Sequence, residues 1–169
     1  FSIKKRPTVK SRSFFLHRLN QSHYKWDGTE WVSVSTLPYS FVDGGAVVYN
    51  GEIHILGGSS DSKKHYKWNG TEWASVSTLP ISWATATTVV YNDEIHIFGG
   101  SSSSYYKKWY VWDGSTWNIE KDLPINAAFA ASVVWNECIY LIGGYNNETA
   151  FYFYSSETQK WSKYITESI

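Results

Sequence analysis

The 169-residue chain has one cysteine, no methionine, four prolines and no arginine beyond Arg18. A single thiol, Cys138, builds neither an internal disulfide framework nor a multi-cysteine zinc site. It occupies the slot that Glu52 and Glu94 fill in earlier repeats, so it reads as drift at one position and not as a nucleophile. Apolar runs never reach the ~18 residues that a membrane-crossing helix needs, and no stretch keeps a 3.6-residue apolar period. Acids are missing ahead of Asp27, whereas Lys4, Lys5, Arg6, Lys10, Arg12 and Arg18 all precede it. Residues 1–22 therefore form a basic arm, or the irregular start of a first repeat, in front of a body with nine basic and fifteen acidic side chains. The arm is the only route to nucleic acid, and the plainer reading is a solvated terminus. A body without arginine has no planar fork to grip carboxylates or phosphates bidentately. No G-x-S-x-G elbow, Walker loop or dinucleotide fingerprint occurs. Opening on Phe1 without any methionine, the chain reads as processed or partial.

What the sequence does contain is aromatic residues, 18% of the total, and repetition. The phrase HYKWDGTEWVSVSTLP at 23–38 returns at 65–80 with 14 of 16 residues identical. Leu-Pro recurs at 37/38, 79/80 and 123/124, and glycine pairs at Gly57-Gly58, Gly99-Gly100 and Gly143-Gly144. Trp31, Trp73, Trp117 and Trp161 mark the same place in four units spaced 42 or 44 residues apart. Within a unit, β-rich runs flank tight-turn dipeptides: Asn50-Gly51, Asn92-Asp93 and Asn136-Glu137 in one place, Asp27-Gly28, Asn69-Gly70 and Asp113-Gly114 in another. Both sites are expected to be type I′ hairpin turns with positive φ at the two central residues. Each unit thus reads as four short antiparallel strands, and the chain as all-β.

Four-stranded units at this period resemble kelch repeats, whose blades are marked by a Gly-Gly closing the second strand and a tyrosine seven positions before a tryptophan. Tyr66 with Trp73, Tyr110 with Trp117, and Tyr154 with Trp161 follow the glycine pairs in that pattern, and Tyr24 with Trp31 makes a fourth pair. The resemblance covers 23–161 and implies a β-propeller of about four blades, the first incomplete. More narrowly, the wording is similar to kelch-like modules of bacterial surface and phage tail proteins, which favours an extracellular or virion setting. Some kelch-like proteins are enzymes, among them copper oxidases and sugar-acid isomerases, but the ligand sets and cation clusters such sites need are missing here. The repeated tryptophans are expected to be buried between blades ~10 Å apart, and the glycines to sit where a Cβ would obstruct the chain.

His54 and His96 occupy equivalent slots in adjacent units, too far apart to share one metal ion, and read as histidines satisfied by neighbours. No cofactor or metal is expected. Candidate ligand-binding residues fall where the copies diverge, on the 4–1 links and 2–3 loops: Tyr39, Phe41, Asp43, Trp83, Lys63, Lys64, Tyr105, Tyr106, Lys107, Asn146 and Asn147. The expected role is a non-catalytic module that recognises a protein or surface glycan through that face. The alternative is an assembly element that closes a larger wheel with another chain, a homo- or hetero-oligomer, because an open wheel leaves an aromatic blade face exposed.

Overall fold

The computed structural model describes residues 21–58, 63–100, 107–145 and 150–164. The proposed basic arm lies almost wholly outside them, as do Tyr105, Tyr106, Asn146 and Asn147. Every regular element is a strand, and no helix of the described residues is long and apolar enough to cross a membrane.

Among the described residues the first blade has two strands, β1 (Ser22–Trp26) and β2 (Trp31–Thr36). The second has four: β3 (Gly45–Tyr49), β4 (Glu52–Leu56), β5 (Lys64–Trp68) and β6 (Trp73–Thr78). The third comprises β7 (Thr87–Tyr91), β8 (Glu94–Phe98), β9 (Trp109–Trp112) and β10 (Trp117–Ile119). The fourth comprises β11 (Ala130–Trp135), β12 (Cys138–Gly143), β13 (Phe151–Ser155) and β14 (Lys160–Lys163). Each full blade is a meander in chain order with antiparallel neighbours throughout. The first strands of successive blades touch, β3 with β7 and β7 with β11, so they gather along one side of the fan.

The two turn sites differ in kind. Asn50-Gly51, Asn92-Asp93 and Asn136-Glu137 all have positive φ at both residues, the type I′ geometry expected, even where no glycine is present. The second site departs from expectation: only Gly28, Gly70 and Gly114 have positive φ there. The preceding Asp27, Asn69 or Asp113 instead turns its side-chain oxygen back to accept the backbone N–H groups two and three residues on, at 2.8–3.0 Å. This Asx turn explains why the phrase reads Asp or Asn, then Gly, then Thr or Ser. At Asp27 the Glu30 and Thr29 N–H groups, with the Thr29 hydroxyl, hold the carboxyl down to about 2.

The hydrophobic core lies between blades and not within any one of them. Leu56 and Tyr49 of the second blade pack on Ile95, Ile97, Tyr110 and Trp112 of the third. Phe98, Trp109 and Val111 of the third pack on Ile139 and Leu141 of the fourth. Period-2 alternation gives each strand one set of side chains facing the preceding blade and another facing the next. The motif tryptophans are only partly a core feature, a correction to full burial: Trp73, Trp117 and Trp161 are half-buried, because the fourth strand is the outermost of its sheet.

Candidate functional site

The link face was the expected recognition surface, and two of its aromatics are core residues instead. Trp83 is 1% exposed and donates its indole N–H to the Gly99 carbonyl at 2.8 Å; Tyr39 is 3% exposed and donates its hydroxyl to the Gly57 carbonyl at 2.8 Å. They tie the links to glycine corners, so neither is available to a ligand. Phe41 is half-buried edge-on against Tyr39, and the Lys64 ammonium lies 5.1 Å from the Tyr39 ring centre. Lys63 and Lys107 are exposed, and their carbonyls accept the Leu79 and Leu123 N–H groups that anchor the next link.

Asp43 belongs to a backbone chain that runs from link to link. Asp43, Thr85 and Phe129 are equivalent positions with φ of 58°, 62° and 61°. Thr85 N–H donates to the Asp43 carbonyl and Phe129 N–H to the Thr85 carbonyl, both at 2.8 Å. The same crowding explains the glycines. A Cβ at Gly57 would run into the Trp83 carbonyl of the next link, and one at Gly99 would come within 2.7 Å of the Ala127 carbonyl carbon. At Gly143 the same added atom meets open space, because no link of another blade crosses it among the described residues.

The histidines are more deeply placed than the sequence suggested. His54 Nδ1 lies 2.7 Å from His65 Nε2, and His65 Nδ1 lies 2.8 Å from Ser77 Oγ. Trp117 of the third blade donates its indole N–H to the same Ser77 oxygen at 2.9 Å. One assignment gives both imidazole N–H groups an acceptor and leaves the lone pair of His54 Nε2 without a partner: His54 donates to His65, and His65 donates to Ser77. Burial, with the His54 charge behind it, pushes the His65 imidazole down to about 3. The pairing was missed because it depends on the register of β4 on β5, which the variable loop between them hides. In the third blade Trp109 replaces His65 and donates to His96 Nδ1 at 3.0 Å, while His96 Nε2–H donates to the Tyr91 carbonyl at 3.1 Å. Among the described residues no group of three or more His, Cys, Asp or Glu side chains is arranged to hold a metal ion.

One seam repeats between blades. Trp73 donates to Ser35 Oγ at 3.1 Å and Trp117 to Ser77 Oγ at 2.9 Å, each indole reaching back to a serine on the preceding blade's outer strand. Lys121 stands in that serine slot in the third blade, and the buried Trp161 indole N–H accordingly has no acceptor.

The open features lie at the two ends of the array. Trp31, with no earlier blade among the described residues, is 68% exposed, and Tyr24 and Trp26 beside it are 53% and 52% exposed. Among the described residues the first blade contributes only its outer pair of strands, and Ile53 of the second blade is 36% exposed, against 0% for its equivalents Ile95 and Ile139. At the far end Trp135 is 62% and Ile142 44% exposed, whereas their equivalents Tyr91 and Phe98 are 6% and 0%. Trp135, Tyr140, Ile142, Phe151 and Tyr164 line a shallow apolar groove there. These residues escaped sequence-based selection because their wording matches that of core positions.

Residues 127–164, the fourth blade, match the kelch motif. Among solved structures, that of YjhT superposes with a TM-score of 0.72 at 18% identity. The alignment covers 88% of this chain and 60% of that one, so this chain spans less than two thirds of its fold neighbour's length. No curated protein matches the chain. The fourth blade thus matches the kelch motif, and the four-stranded meander blades share the fold of a kelch-type β-propeller.

Proposed function

We propose that the chain is a non-catalytic interaction module that works by completing a wheel: another chain supplies kelch-type blades against its first and fourth blades. The observation that carries this reading is the contrast in exposure at equivalent slots. Ile53 at 36% against Ile95 at 0%, and Ile142 at 44% against Phe98 at 0%, expose at the ends what interior blades bury. Exposed apolar surface of this extent, lined by aromatics, suits association. Light scattering tests it, with an assembly heavier than 19.4 kDa expected and Trp31→Ser with Trp135→Ser shifting it to the monomer mass. A chain that stays at 19.4 kDa at high concentration and binds no hydrophobic dye overturns it.

Recognition of a protein or surface glycan through the link face is a second reading, supported by Phe129 at 69% and Tyr145 at 47% exposure on that side. A glycan array with wild type and Phe129→Ala separates the two. Binding lost in the variant, with the mass unchanged, favours the link face.

A further inference from the structure

The seam between the third and fourth blades opens into a cleft of about 580 Å³, bordered by Glu94, Val111, Glu120, Tyr91, Tyr154 and Trp161. Its origin is local. Strand β10 has three residues where β6 has six, and the charged run Glu120-Lys121-Asp122 replaces Val76-Ser77-Thr78. The volume lies within the ~300–1,000 Å³ usual for small-ligand sites.

The repeat shows what one wall of this cleft is built to hold. In the second blade Glu52 receives the Lys67 ammonium at 2.8 Å. Lys67 stands opposite His54 in the strand register, and Val111 stands opposite His96 in the third blade. Glu94 has therefore kept the carboxylate of Glu52 while the lysine that neutralises it has become Val111, and both residues line the cleft. Among the described residues the one ion-pair contact of Glu94 is His96 Nε2 at 3.9 Å. That nitrogen already donates to the Tyr91 carbonyl, and burial pushes the His96 imidazole down to about 4, so it brings no positive charge. Burial first, and then Asp113 and Glu120, raise the Glu94 carboxyl above its ordinary range, the direction expected of a carboxylate lacking its cation. Lys121 and Lys160 also border the cleft, and neither lies within ion-pairing distance of Glu94; Lys108 is held by Asp122 at 2.6 Å. Trp109, Tyr154 and Trp161 supply aromatic surface of the kind that favours a cation and its alkyl stem.

We infer that this cleft binds an alkylammonium group, its nitrogen on Glu94 where the second blade seats its own Lys67 Nζ and its stem against the aromatic wall. The source is either a free primary amine or a lysine side chain of another protein.

Titration followed by ¹H–¹⁵N NMR tests it on the full chain with n-butylamine, Nα-acetyl-lysine methylamide and Nα,Nε-diacetyl-lysine methylamide. Both ammonium probes are expected to saturate, with shifts at Glu94, Val111 and the Trp109 indole, and the diacetylated probe to leave the spectrum unchanged. Tighter binding of the lysine derivative identifies a protein lysine as the source, and equal binding a free amine. Glu94→Gln is expected to weaken binding at least tenfold, and Val111→Lys, which restores the internal pair, to abolish it while the fold is kept. Glu52→Gln should leave binding unchanged. No saturation by either ammonium probe, or saturation indifferent to Glu94→Gln and Val111→Lys, overturns the assignment.

Discussion

Two seams in this molecule are built from nearly the same words and end differently. Between the second and third blades, Trp117 finds Ser77, Leu56 and Tyr49 are covered, and the Gly57 corner is occupied by the next link. At the two ends, Trp31 and Ile142 are 68% and 44% exposed, and the Gly143 corner carries no link among the described residues. The comparison teaches that a propeller blade is not a stable unit by itself. Half its apolar residues are core only by virtue of a neighbour, as in other stacked-repeat proteins.

Substituting the motif tryptophan at each place gives the sharpest break. Trp117→Ala is expected to destabilise the chain by about 3–5 kcal/mol, near the lower figure given its partial exposure, and Trp31→Ala by less than about 0.5 kcal/mol, both read from urea unfolding. Equal losses would mean that Trp31 is covered in solution, which light scattering would then trace to association.

Acid separates interior from end in a second way. The folded pKa values of His65 and His96, about 3 and about 4, lie below the ordinary 6.5, so between those limits the unfolded chain binds more protons. Stability is full above about pH 6.5 and falls as the pH drops, by roughly 1.4 kcal/mol per pH unit for each histidine, until its folded pKa is reached. NMR titration should show His23, on the open first blade, protonating before either; His65 charging near pH 6 would break the comparison.

The glycine corners offer a smaller contrast. Gly57→Ala meets both a left-handed φ of 69° and the Trp83 carbonyl, whereas Gly143→Ala meets only a φ of 74°. About 1 kcal/mol is expected at Gly143 and clearly more at Gly57, measured by thermal unfolding. The indole seam can be moved in both directions. Ser77→Ala strands the Trp117 N–H, and the His65 N–H with it, at a cost of about 1–3 kcal/mol, while Lys121→Ser restores an acceptor for Trp161 and, the smallest effect, should add about 0.5–1.5 kcal/mol.

Much of the fold was legible because its determinants are local. Asn-Gly with alternating apolar residues fixes a hairpin, and the return of Gly-Gly and Trp every 42 or 44 residues marks each successive blade. The Asx turn at Asp27, Asn69 and Asp113 differs from the type I′ turn expected there because an Asp- or Asn-Gly dipeptide, as at Asn50-Gly51, suits both, and only the backbone angles tell them apart. The candidate site was barely legible. Tyr39 and Trp83 lie on links whose path over the glycine corners comes from blade-to-blade stacking, so divergence between copies pointed at core residues there.

By itself the sequence determined the strands, their order within a blade and the side chains that share a face, since these depend on period-2 alternation and on turn chemistry a few residues long. Only the tertiary structure decided which of those faces is interior. Tyr24, Trp26 and Trp31 stand in a phrase almost identical to the one containing Tyr66, Trp68 and Trp73, and yet one set faces solvent while the other is packed against the first blade. Burial is a property of what lies some ten ångströms away across a seam, and no residue's own neighbours in sequence encode it.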